Sequence, residues 1–293
     1  MHDPIKMVTF ICLDGFPLMR SKIKNLLKLL GIYKLTVSIL NVFRKRKISL
    51  LKDELDNNEL FRSHLKSTFG DQKGQVEFLV NNFFNYEKNG LPKKGFFIDL
   101  AAADGVTGSN TLFLEKYLNW KGILFEPNPY DKKSIESIRT SPLVTNCVTD
   151  ELDKTVKFRV DNGQLGGIVG DEFDNNRAIR GKQLKSAEIL EIPTTTLERE
   201  LDRFSAPNTI DFMSLDVEGA EYLIMKNFPF DKYKFKCMAI ERPNVELDLL
   251  LEMNGYIQIK HLNYDVIYAH SDFVKQVNLS PKYRFALTPT KDW

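Results

Sequence analysis

The sequence is poor in the residues from which metal centres and disulfide frameworks are built. It has three cysteines (Cys12, Cys147, Cys237) and four histidines (His2, His64, His261, His270), all far apart. No metal-type spacing joins them, so a zinc site is not expected. Cys147 and Cys237 sit in apolar, strand-like runs, which reads as buried free thiols in a reducing compartment. Charge of one sign is missing too. A net charge of +2 is too small to argue for a nucleic-acid partner. No run reaches the roughly 18–20 apolar residues of a membrane span. The apolar stretch Met7–Leu13 stops at Asp14 and has no small-residue cleavage site, so a secretory leader is not expected and the cytoplasm is. Neither Gly-x-Gly-x-x-Gly nor Gly-Lys-Ser/Thr occurs, which argues against dinucleotide and phosphate-loop sites.

What remains is ordinary globular material. The chain has 293 residues, 43% of them hydrophobic and 27% charged, enough for one large α/β domain with an appendage. The texture changes near residue 90. Upstream, Arg20, Lys22, Lys24, Lys28, Lys34, Arg44, Lys45, Arg46 and Lys47 have no acid among them. Ile23, Leu26, Leu27 and Leu30, then Leu35, Ile39, Val42 and Phe43, follow helical spacing. A basic amphipathic helix can lie on an anionic membrane surface or pack on a core, and packing is the commoner fate. A further helix is expected over Gln75–Tyr86. The expected division is a helical, basic region 1–90, an α/β domain 91–271 and a tail 272–293.

After Leu91-Pro92 strands alternate with helices. Gly95–Leu100 reads as a buried strand and Asn110–Leu118 as the helix after it. Gly122–Phe125 and Leu143–Val148 are the second and third strands. Asn128 caps a helix that begins with Pro129. Ile210–Leu215 and Cys237–Ile240 are further strands, and Thr195 with Glu198 has capping-box spacing. The helix Val245–Met253 stops at Asn254-Gly255. Tyr256–His261 and Val266–Ala269 read as an antiparallel pair. Such βα alternation implies a mostly parallel sheet, seven strands with helices on both faces, and ligands beyond the strands' carboxyl ends.

Four strand ends are polar: Asp99-Leu-Ala-Ala-Ala-Asp104-Gly105, Glu126-Pro-Asn128, Asp216-Val-Glu218-Gly219 and Glu241-Arg-Pro-Asn244. A turn of small residues lets a ligand approach the backbone. An acid after the second strand can accept both hydroxyl hydrogen bonds of a ribose. Acids near the first loop can hold an ammonium group. An acid entering a helix N-terminus is the plainer reading of Glu126, Asp216 and Glu218, but the order of all four strand ends favours a site. Glu221 reads as a solvated helix residue. The glycine-rich run Gly163–Gly170 reads equally as a pocket cover or a connecting loop. Tyr117-x-x-x-Lys121 has a dehydrogenase-like spacing but lies too early in the chain for that role.

The run Phe97–Gly105, with Ser109-Asn110-Thr111 and Trp120-x-Gly122-x-x-x-Glu126-Pro127-Asn128-Pro129, resembles the FkbM family of methyltransferases. Ile210–Glu221 is similar to that family's second signature and Ile240-Glu241-Arg242-Pro243-Asn244 to its third. The resemblance covers about residues 72–270. It implies a Rossmann-like class I sheet, S-adenosylmethionine as cofactor, and O-methylation of a sugar or natural-product hydroxyl, hence a small-molecule or glycan acceptor. It also implies that Asp99, Ala101, Asp104 and Gly105 surround the methionine part and that Asn110 supports that loop. Glu126 with Asn128 takes the ribose, Asn146 and Cys147 flank the adenine, and Asp216 lies beneath the sulfonium. Ala101 departs from the glycine common in the family.

For catalysis, Asp216, Glu218 and Glu241 are the candidates for a general base. The same three acids suit Mg²⁺, which prefers oxygen donors. Two rivals stay open: a methyltransferase-like module that binds without chemistry, and a nicotinamide-dependent oxidoreductase, which the missing glycine motif disfavours.

Overall fold

The computed structural model describes residues 74–84 and 94–274. The basic stretch 20–47 and the tail from 275 lie outside the described residues. No described helix is long and apolar enough to cross a membrane.

Helix α1 (Gln75–Phe78) opens the described chain and widens at once into a π-helical turn, Leu79–Phe83. The strands are β1 (Phe96–Leu100), β2 (Lys121–Phe125), β3 (Leu143–Val144), β4 (Cys147–Thr149), β5 (Thr155–Arg159), β6 (Gly167–Ile168), β7 (Ile189–Thr196), β8 (Thr209–Leu215), β9 (Lys234–Glu241), β10 (Tyr256–Leu262) and β11 (Asp265–His270). The helices between them are α2 (Leu112–Leu118), α3 (Pro129–Ile138), α4 (Arg177–Arg180), α5 (Leu197–Arg203), α6 (Glu221–Met225) and α7 (Val245–Met253), with α8 (Ser271–Val274) last.

The fold is mixed α/β around a seven-stranded sheet in the order β3-β2-β1-β8-β9-β11-β10. The pairs from β3 to β9 are parallel. The hairpin β10–β11 inserts its second strand beside β9, antiparallel to both neighbours.

Strand alternation sorts the core onto two faces. Ile98, Leu100, Met213, Leu215, Met238 and Ile240 pack with Leu197 and Leu201 of α5, Ile224 of α6 and Leu247 and Leu251 of α7. Phe97, Phe212, Cys237 and Ala239 face the other way, onto Val76, Phe78, Leu79, Val80, Phe83 and Phe84, Phe113 and Leu114 of α2, and Ile135 of α3. Each large buried side chain contributes about 1.5–3 kcal/mol. Gly122 is needed where β2 crosses the ring of Phe97, because a Cβ there would sit 2.4 Å from that ring.

Three expectations are corrected. The stretch Leu143–Val148 is not one strand. Its first half pairs with β2, and its second half leaves to pair with β7. That departure builds a second, four-stranded sheet, β4-β7-β5-β6, which the βα pattern did not announce. The helix after β7 is capped by Thr196, whose side chain accepts from the Arg199 amide, while Thr195 instead bonds Glu200.

Candidate functional site

A cavity lies beyond the carboxyl ends of β1, β2 and β8, with about 940 Å³ of empty space that includes its open, solvent-facing side. Its floor is the loop that follows β1. The amides of Ala101 and Ala102 both donate to the carbonyl of Phe125 at 3.0 Å, bending the chain sharply off the sheet. Ala101 (φ 69°) and Ala103 (φ 50°) are left-handed, a conformation that strains any residue with a Cβ. Strain of this kind gathers at functional sites.

Asp99, Ala101, Asn110, Glu126, Asn128, Asn146, Cys147 and Asp216 all line the cavity, so eight expected residues from separate strand ends meet in one place. Asp104 and Gly105 do not line it. Asp104 is fully buried behind the loop and accepts from the amides of Val106 and Thr107 and the hydroxyl of Thr107. It shapes the loop rather than facing a ligand.

Glu126 is held by two backbone donors, Ala103 to Oε2 at 2.7 Å and Asn128 to Oε1 at 2.9 Å. Burial, helped by the nearby Asp131 and Asp99, pushes its carboxyl up to about 8, against those two hydrogen bonds. Asn128 caps α3 through Tyr130, and its amide also meets Asp131 and the carbonyl of Val160. Its polar atoms are therefore committed to the protein, although it borders the cavity. Asn110 donates to Ser214 at 3.0 Å, while its buried Oδ1 has no partner. Burial, then Glu126, lifts the Cys147 thiol to about 12, so it is neutral and unreactive.

Behind the loop lies a network that sequence reasoning missed. Arg139, just past α3, is wholly enclosed and donates to Glu115, to the Gly105 carbonyl, and to Ser109 and Thr111. Glu115 is held below the usual carboxylate range: burial opposes this, but Arg139 and the Thr140 amide prevail. The Ser-Asn-Thr run was visible in the sequence; its cationic partner almost thirty residues on was not.

At the opposite mouth, Asp216, Glu218 and Glu241 bring one oxygen each to within 4.8 Å of one another. Of the three only Asp216 lines the cavity. Burial raises its carboxyl, and the neighbouring Glu241, to which it is hydrogen-bonded, raises it further. Glu218 is buried, left-handed (φ 56°), and pushed to about 7 by burial and then by Glu241. Its Oε2 takes Arg180 at 3.0 Å and Arg242 at 3.3 Å, and Arg242 also reaches Glu241 and Asp174. The cluster's charge is thus met by two guanidinium groups. A divalent cation fits these residues only in part, since Glu218 is already occupied. Glu221 is not the solvated residue expected: it is buried and accepts from the amides of Val217 and Gly219, closing the loop that carries Asp216.

The second sheet supplies the remaining wall through Phe158, Gly167 and Ile168, with Gly163, Gln164 and Gly166 from the turn between β5 and β6. The glycine-rich run therefore borders the cavity, and Gln164 reaches across to the Thr107 carbonyl at 2.7 Å. Gly167 is forced by proximity: a Cβ there would lie 3.1 Å from that of Glu218 and 2.9 Å from the Asn175 amide. Tyr117 packs on Phe113.

The family described as the methyltransferase FkbM domain matches residues 99–266. No curated protein matches the chain. Among solved structures, methyltransferase FkbM from Methylobacillus flagellatus KT is similar, at 12% identity and a TM-score of 0.38, over 69% of this chain and 49% of that one. The chain thus spans about half the length of that protein.

Proposed function

The chain belongs to the FkbM methyltransferase family, and on that premise we propose that it binds S-adenosylmethionine in the strand-end cavity and methylates a hydroxyl of a small acceptor, a sugar or another polyhydroxylated natural product. The strand order supports reading the main sheet as the Rossmann-like class I sheet. The observation that carries the cofactor is the meeting of Asp99, Asn110 and Glu126 around a loop of small residues in one cavity.

These residues fit the group. The unpartnered Oδ1 of Asn110 and the carboxylate of Asp99 suit the ammonium of the methionine part. The two amides on Glu126 occupy one lone pair on each oxygen, leaving a second on each for vicinal ribose hydroxyls. Asn146 and Cys147 would flank the adenine. When bound, the cofactor supplies an electrophilic methyl group on a sulfonium.

The protein's part is alignment and proton removal. Holding an acceptor oxygen in line with that methyl replaces a bimolecular encounter with a fixed geometry. Of the three candidate bases, Asp216 is the one at the cavity wall, and its raised carboxyl makes it a better proton acceptor than an exposed aspartate. Glu241 stands beside Asp216 and raises its proton affinity. Glu218, gripped by two arginines, fixes the surrounding loops. No step needs Mg²⁺.

Calorimetry with S-adenosylmethionine and S-adenosylhomocysteine tests the reading, and binding of both is expected. No heat with either overturns it. Binding with no methyl transfer to any polyhydroxylated acceptor would favour a module that has lost its chemistry.

A further inference from the structure

We propose that Arg139, which does not touch the cavity, is the positioning residue for its cofactor side. It fixes Asp99 and the loop 101–111 in the geometry that binds the methionine part. This rests on the S-adenosylmethionine reading above.

The guanidinium is fully buried and its donors are spent along the loop. Nε meets Glu115 at 2.7 Å; Nη1 meets the Gly105 carbonyl at 3.1 Å and Ser109 Oγ at 3.3 Å; Nη2 meets Thr111 Oγ1 at 2.8 Å. Thr111 passes the contact on, donating to Asp99 Oδ2 at 2.5 Å. Arg139 itself stands 3.9 Å from the same oxygen and 5.7 Å from the centre of the Phe97 ring. Both contacts reach Oδ2, so Oδ1 is the oxygen left to a ligand. Three points of the loop and the acid before it are thus tied to one planar fork, which a lysine ammonium does not reproduce.

The countercharge is arranged with equal care. Glu115 is the close ion-pair partner, and it is itself held by Thr140 and Ser141. Arg139 therefore offers Asp99 a positive field and a relayed hydrogen bond without a direct, neutralising pair. The groups that face Asp99 are Arg139 past α3, Thr111 before α2, Glu115 within α2 and Glu126 after β2. Burial, with a smaller push from Glu115, already raises the Asp99 carboxyl above the usual aspartate range, and Arg139 and Thr111 oppose it; without the relay Asp99 moves further towards its neutral form, which holds an ammonium poorly.

The experiment is S-adenosylhomocysteine calorimetry on the full chain as wild type, Thr111→Val, Thr111→Ser and Arg139→Lys, over a range of pH. Thr111→Val keeps shape and leaves the Arg139–Glu115 pair intact. It should weaken binding about 10-fold near pH ~7, the scale of one hydrogen bond to a charged group, and by more as the pH falls. Thr111→Ser keeps the hydroxyl and should bind within about twofold of wild type. Arg139→Lys should lose at least as much as Thr111→Val, with the same pH trend. If it fails to fold, the threonine pair still decides. Unchanged affinity in Thr111→Val, or a loss equal at every pH, overturns the proposal, the second outcome meaning a plain brace. A wild type that gives no heat removes the cofactor reading itself, and this inference with it, which separates the two failures.

Discussion

The two ends of the cavity handle buried charge in opposite ways. Around the loop after β1, nearly every polar atom has a fixed partner, and the cation at its centre is sealed from solvent. Around the end of β8, three carboxyls crowd together, and a half-exposed Arg242 is divided among Asp174, Glu218 and Glu241. Fully satisfied buried networks hold one geometry, whereas crowded like charges raise proton affinity. One end is shaped to hold a constant ligand. The other is poised to take a proton from a variable one.

The largest effect should come from breaking the reactive end alone. Asp216→Asn is expected to lower methyl transfer by about 10²–10⁴-fold. The readout is labelled methyl transferred to an acceptor that the wild type uses. S-adenosylhomocysteine affinity should stay within about threefold, and a parallel loss of affinity would blur the distinction between the ends.

Next in size is the binding end. Glu126→Gln should weaken S-adenosylhomocysteine binding by about 10-fold, because its amide nitrogen sets a donor against a backbone N–H where Glu126 accepts. The same variant carries a stability signature. The Glu126 carboxyl is raised from 4.5 to about 8 in the folded protein, so the folded state binds the extra proton between those values. Its contribution to stability is therefore complete below about pH 4.5 and is lost as the pH rises through about 8. Melting curves of the ligand-free protein should show the wild type losing more stability than Glu126→Gln across that window. Parallel curves would contradict the buried, uncompensated acid. Glu218 and Glu221, both raised to about 7, add the same trend to both proteins.

The smallest effect concerns strain. Ala101→Gly relieves a left-handed alanine and should raise the unfolding free energy by about 0.5–1 kcal/mol in urea titration, after the extra freedom of glycine in the unfolded chain. Destabilisation would mean that the alanine methyl packs usefully in the floor of the cavity.

Much of this was legible in the sequence because it is local. The apolar runs at Gly95–Leu100, Ile210–Leu215 and Cys237–Ile240, with Asp99, Asp216 and Glu241 at or just past their ends, mark parallel strands and the edge where ligands sit. Asn128 before Pro129 declares a helix start. What escaped depends on long-range pairing. The second sheet is built from short, polar-rich strands such as Thr155–Arg159, and its register comes from β7, thirty or more residues away. The burial of Glu221 follows from how its own loop folds back, which periodicity does not record. Arg139 looks like any basic residue at a helix end until Glu115 and Thr111 are brought against it in space.

The contact from Gln164 to the Thr107 carbonyl has a kinetic consequence. It is a side-chain bond at the surface, of the sort whose net strength is about 0.5–1.5 kcal/mol. A fastening of that size holds the turn Gly163–Leu165 against the loop after β1 only about 2- to 12-fold more often than apart, whereas Gly167 and Ile168 stay paired with β5. Opening of that turn alone, with β6 left in its sheet, is the motion this bond governs.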